Sequence, residues 1–90
     1  MSVVLNIHKT HRPFTDGLET IEVEGDTIGK CIDNLTARYP KMYTALFQAP
    51  NRLKSEIEIY HNADTAYPDE LSRKVRAGDE IHITLMLAGG

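Results

Sequence analysis

An α+β domain, with a mixed sheet of four or five strands covered by one main helix, is predicted from three observations. Apolar and polar residues alternate at both ends of the chain, in Val3 to His8 and in Glu80 to Leu87. A helical stripe of Ile28, Cys31, Ile32, Leu35 and Tyr39 lies between them. The 90 residues, 41% of them hydrophobic, suffice for one core and leave no room for a second domain.

The elements follow in order. Val3, Leu5 and Ile7 share one face of a first strand. Lys9 to Gly17 contains Pro13 and the pair Asp16-Gly17, both turn signals, and reads as a loop. Glu19 to Glu24 alternates again, Ile21 and Val23 against Glu22 and Glu24, and pairs with the first strand as a hairpin. Gly25-Asp26-Thr27 breaks the strand and supplies an N-cap for the main helix. Pro40 ends that helix at or near Tyr39. Met42, Tyr43, Leu46 and Phe47 mark a second, short helix that Pro50 and Asn51 close. Glu56 to His61 is a strand with Ile57 and Ile59 inward, and Asn62-Ala63-Asp64 is a turn. Thr65 to Ala77 is irregular, with a short strand near Ala66-Tyr67 or a helical turn near Leu71. Ala77-Gly78-Asp79 turns tightly into the last strand, which places Ile81, Ile83, Leu85 and Leu87 on one face and His82, Thr84 and Met86 on the other. A hairpin, a covering helix and then further strands, with the first and last strands side by side in the middle, is the β-grasp plan.

Composition narrows the function. Thirteen acidic and ten basic side chains give a net charge of −3, which excludes a general binder of nucleic-acid backbones. No apolar run approaches the ~20 residues of a membrane span, and no charged-then-apolar signal opens the sequence. The lone Cys31 rules out an internal disulfide framework and a four-cysteine cluster of the ferredoxin kind. A soluble, reduced, cytoplasmic protein is expected, with no bound metal or cofactor, no nucleic-acid partner and no membrane partner.

The sequence ends in Ala88-Gly89-Gly90 directly after the last strand. A tail without side chains, residues 88–90, can thread a channel too narrow for any Cβ and present a terminal carboxylate deep in a partner enzyme. The plain alternative is a frayed end with no role.

Over its whole length the chain resembles the ubiquitin-like sulfur carrier proteins of the MoaD/ThiS type, and three stretches carry the resemblance. Gly25-Asp26-Thr27-Ile28-Gly29 is similar to the start of that family's helix, Ala77-Gly78-Asp79-Glu80-Ile81 to the turn into its last strand, and Leu87-Ala88-Gly89-Gly90 to its terminus. Arg12-Pro13-x-Thr15-x-Gly17 resembles the opening of the CysO-type carriers of cysteine synthesis, and the Glu56 to Asn62 strand and turn fit the same group. The family's proline shortly before the tail is replaced here by Leu85-Met86-Leu87.

The resemblance implies a protein co-substrate and not an enzyme. A MoeB/ThiF-type enzyme would use ATP to adenylate Gly90. A sulfur donor would then convert it to a thiocarboxylate, and a synthase would accept the sulfur in cysteine or molybdopterin biosynthesis. Gly89 and Ala88 would give the tail its clearance. Tyr60, His82, Thr84 and Met86, on a partly apolar outer face of the sheet, would dock partners together with Leu87. Two rivals stand beside this reading. One is a ubiquitin-like modifier conjugated through Gly90, and the other is a β-grasp interaction module without tail chemistry.

The remaining candidates are weaker. His8-x-x-His11 has three-residue spacing that points the two rings differently, and no third ligand lies near. His61 and His82 are expected on the outer sheet face. Cys31, on the helix stripe, reads as a small buried hydrophobe. Arg73, Lys74 and Arg76 read as a solvated basic loop.

Overall fold

The computed structural model describes residues 2–86. Strand β1 (Ser2–Ile7) pairs antiparallel with β2 (Thr20–Glu24), setting Val3 opposite Val23 and Leu5 opposite Ile21. The alternation predicts this register, because one face is buried and a slip of one residue would turn every apolar side chain to water.

Between these strands, Lys9–Thr15 is a 3-10 helix and not the expected loop. Polar side chains build it. His8 Nδ1 accepts from Thr10 N–H at 3.2 Å, and the buried Thr15 hydroxyl reaches the carbonyls of Arg12 and Leu18 at 3.3 and 3.1 Å. Arg12 Nε donates to the Ile7 carbonyl at 3.1 Å, and Gly17, at φ +81°, donates its N–H back to the Arg12 carbonyl. The Arg-Pro-x-Thr-x-Gly run is thus a self-bonded unit. Held by side-chain bonds, it leaves no 3.6-residue apolar period to read in the sequence.

Helix α1 (Ile28–Arg38) starts at Thr27, whose hydroxyl accepts from Lys30 N–H at 3.1 Å. Ile28, Cys31, Ile32 and Leu35 are fully buried against the sheet, each worth about 1.5–3 kcal/mol for a full-sized aliphatic chain. Pro40 both ends α1 and opens α2 (Pro40–Leu46), since a first-turn proline lacks only an N–H that would be unbonded anyway. Helix α2 stops at Leu46, ahead of the expected Pro50-Asn51 boundary. Phe47–Ala49 (β3) and Arg52–Leu53 (β4) form a small separate hairpin there, with Asn51 at φ 59° in its turn.

Strand β5 (Ile57–His61) turns at Asn62-Ala63 into β6 (Asp64–Thr65), two residues before the predicted position. Strand β7 (Glu80–Leu85) closes the fold, ending two residues before the predicted Leu87. The sheet order is β2-β1-β7-β5-β6, with β7 parallel to β1 and antiparallel to β5, so the first and last strands lie side by side inside the sheet. This is the expected β-grasp arrangement.

The segment between β6 and β7 is irregular, as expected, yet tightly held. No helical turn forms at Leu71. Instead the chain crosses the start of α1, where the carbonyls of Arg73 and Leu71 accept from Ile28 and Gly29 N–H, both at 2.9 Å. Two donors that a helix start leaves open are thereby satisfied. This crossing explains Gly29, where a Cβ would sit 2.7 Å from the Leu71 carbonyl oxygen. At the other sheet edge, Asn34 and Arg38 donate from α1 to the carbonyls of Glu24 and Glu22, blocking β2 against further strands.

Gly29→Ala sets two effects against each other. Helix propensity gains about 1 kcal/mol. Overpacking against rigid backbone costs about 1–3 kcal/mol, and the Leu71 contact is lost as well. Net destabilisation of about 1–2 kcal/mol is expected by urea unfolding, and a stabilised variant would refute the close crossing.

Candidate functional site

Pairing brings most of the outer-face candidates together. Asn6 of β1, His82 of β7 and Tyr60 of β5 lie in one row across the sheet, and Thr84 lies beside Glu58 in the next. Met86 follows β7, 54% exposed, with its N–H donating to the Glu56 carbonyl at 2.7 Å. Leu87, Ala88, Gly89 and Gly90 lie outside the described residues.

The face is more polar than the sequence suggested. Tyr60 donates its hydroxyl to Glu58 Oε1 at 3.2 Å, and the Glu58 charge raises the phenol above its ordinary pKa. Thr84 donates to the Glu58 carbonyl at 3.0 Å, and Asn6 donates to Glu80 at 3.2 Å. His82 Nε2 lies 3.8 Å from the same Glu80 carboxylate. Among the described residues, Met86 is the exposed large apolar side chain closest in sequence to the tail.

Sequence reasoning did not place Asn6, His8 or Arg12 beside the docking residues, yet they line a cleft of about 280 Å³ together with His82 and Thr84. The signal was present for Asn6. Along β1, Asn6 alternates with Leu5 and Ile7, so pairing β1 with β7 sets it opposite His82.

The other candidates separate. His61 does not share the outer face with His82, because its odd-numbered position puts it on the side of Ile57 and Ile59. There its Nε2 meets Asp79 Oδ2 at 2.7 Å, and its Nδ1 accepts from Arg73 Nε at 2.9 Å. Asp79 also accepts from Arg76 N–H at 2.9 Å, and these bonds, His61's first, hold its carboxyl below the usual range. Part of the basic loop is therefore structural. Cys31 is buried, and burial followed by the Asp26 charge raises its thiol pKa. His8 caps the 3-10 helix through Nδ1, whereas His11 is 3% exposed with Nδ1 unpartnered. Among the described residues no three His, Cys, Asp or Glu side chains gather as a metal-binding group.

A single helix-covered mixed sheet whose first and last strands run parallel at its centre defines a ubiquitin-like β-grasp protein. No family model matches the sequence. The chain is 31% identical over 93 residues to the sulfur carrier protein CysO of Mycobacterium tuberculosis, covering 100% of both. It superimposes on a chain of the Amycolatopsis orientalis BexX/CysO complex with a TM-score of 0.88, at 27% identity over 98% of this chain and 99% of that one. The small archaeal modifier protein SAMP1 of Haloferax volcanii shares the fold, with a TM-score of 0.85 at 24% identity over 100% of both chains. The chain belongs to the sulfur carrier protein family of the MoaD/ThiS type, on the side of its CysO relatives. Among the described residues no helix is long and apolar enough to cross a membrane.

Burial, then the charges of His8 and Lys54, hold the His11 pKa below its ordinary 6.5. The unfolded chain therefore takes up this proton first. His11's contribution to stability is complete above pH 6.5 and is lost as pH falls through its lower folded value. Urea unfolding across this window is expected to show a smaller loss in His11→Leu than in the wild type. Identical slopes would assign the loss to other groups.

Proposed function

We propose that the chain carries sulfur on its Gly90 carboxylate. Full-length identity to a sulfur carrier, together with a sequence that ends in Gly89-Gly90 just beyond a central strand, supports this reading. A carboxylate resists attack because its leaving group would be oxide. In the proposed reaction a MoeB/ThiF-type enzyme joins the Gly90 carboxylate to ATP, forming the acyl-adenylate and releasing pyrophosphate. A sulfur nucleophile then adds to that carbonyl and AMP departs. Reductive release from the donor, where the donor is a persulfide, leaves the Gly90 thiocarboxylate. An acceptor synthase takes the sulfur, and the CysO relationship favours an activated serine-type acceptor and cysteine formation. The carrier has no catalytic residue or cofactor of its own in this reading, and the activating enzyme consumes the ATP.

The outer-face row of Tyr60, His82 and Thr84, with Met86, is proposed as the surface these partners grip. In support, a CysO relative is known in complex with a protein, BexX.

Incubation with a MoeB/ThiF-type enzyme, ATP and sulfide is expected to raise the intact mass by the exchange of one oxygen for sulfur, located at Gly90. An unchanged mass, with an enzyme active on its own carrier, would overturn the carrier reading. Gly89→Val is expected to abolish pyrophosphate release while the thermal midpoint stays put. Met86→Asp is expected to weaken the activating enzyme's affinity about tenfold, or ~1.4 kcal/mol, by calorimetry. Conjugates of raised mass on a denaturing gel would favour the modifier instead.

A further inference from the structure

On the helix side of the sheet, where β7 ends, a groove of about 510 Å³ opens between the 3-10 helix and α2. Its size falls within the range of sites that hold a ligand or an anchoring side chain. Phe14, Ala45 and Leu85 supply apolar walls, and Lys41 and Lys54 stand over them.

Three observations set this groove apart from an ordinary dent. First, among the described residues neither lysine ammonium has a hydrogen bond or an ion pair, in a chain whose net charge is −3. Glu56 is the single acid in the lining, so positive charge is in excess there. Second, the imidazole of His11 is 97% buried in the wall, and its Nδ1 has no partner. Such an atom costs about 1–3 kcal/mol, which a leucine would avoid. Third, the Phe14 ring is 37% exposed at the rim, tilted against His11 with centroids 6.4 Å apart. An uncommitted aromatic, two free cations and a polar group kept at a cost are what a docking pocket requires.

We infer that this groove docks an acidic segment of a partner protein, with an aliphatic side chain on Phe14, Ala45 and Leu85 and flanking carboxylates on Lys41 and Lys54. Charge complementarity selects this occupant, since among the described residues the lysines have no acidic partner and they share the lining with apolar side chains. The groove faces away from the Tyr60, His82 and Thr84 row, so it forms a second docking surface on the opposite side of β7. It stands independently of the chemistry at Gly90.

The test is a nitrogen-15 NMR titration with a blocked peptide of alternating aspartate and leucine, run beside its asparagine-for-aspartate counterpart. Shifts are expected at the amides of Thr10, His11, Phe14, Thr44, Ala45 and Lys54. Affinity is expected to fall about tenfold for the asparagine peptide and for the double variant Lys41→Glu, Lys54→Glu. Unshifted amides elsewhere check that variant's fold, and Lys41→Gln serves as the milder replacement. Equal binding of the two peptides, wild-type affinity in the double variant, shifts centred on Tyr60 and Thr84, or no shifts at all would each overturn the assignment. The titration involves no tail reaction, so its failure leaves the carrier reading standing, and a failed adenylation leaves the groove standing.

Discussion

The parallel pairing of β1 with β7 is the constraint on which the rest of the structure depends. It joins the two ends of the chain in the interior of the sheet, with Leu5 beside Ile81 and Ile7 beside Ile83. All four side chains are buried on the helix side. Contacts between such distant segments carry a large loop-closure cost, so they form only when the intervening chain already provides a surface to cover. Helix α1 is that surface, and Ile28, Cys31, Ile32 and Leu35 of its stripe share one core with these strands.

Two consequences follow for function. Because β7 is flanked by β1 and β5, its register is fixed on both sides, and the Met86 N–H bond to the Glu56 carbonyl holds its end. The two faces at β7's end also differ in chemistry. The outer face carries a polar row tied to Glu58 and Glu80, and the helix side opens into the groove with its free lysines.

The crossing over the start of α1 shows how little regular structure this domain needs to stay together. Leu71 to Val75 forms only one isolated bridge, Lys74 with Thr27. Yet its backbone satisfies the helix start, its Arg73 reaches His61, and Gly29 exists to let it approach. The Gly-Asp-Thr-Ile-Gly run, first read as a family likeness, thus has a physical reason at each end. Thr27 caps the helix, and Gly29 leaves space for a neighbouring carbonyl. The Arg-Pro-x-Thr-x-Gly run has a comparable reason in the bonds of Arg12 and Thr15.

By itself the sequence determined whatever has a short period or a local chemical rule: the alternating strands, the α1 stripe, the Thr27 cap, the proline boundary at Pro40, and the glycine-ended terminus that pointed to a sulfur carrier. It left hidden what depends on side chains bonding to distant backbone. The 3-10 helix at Lys9–Thr15 has no apolar period, and the β3–β4 hairpin is too short to alternate. Tertiary structure alone decided that His61 faces Asp79 and Arg73 instead of His82, since that needs strand parity and the path of a loop together. It alone decided that Arg12 joins His82 and Thr84 at one cleft, and that Lys41, Lys54 and His11 converge on one groove. Those residues are far apart in the chain, and only the closing of β7 between β1 and β5 makes them neighbours.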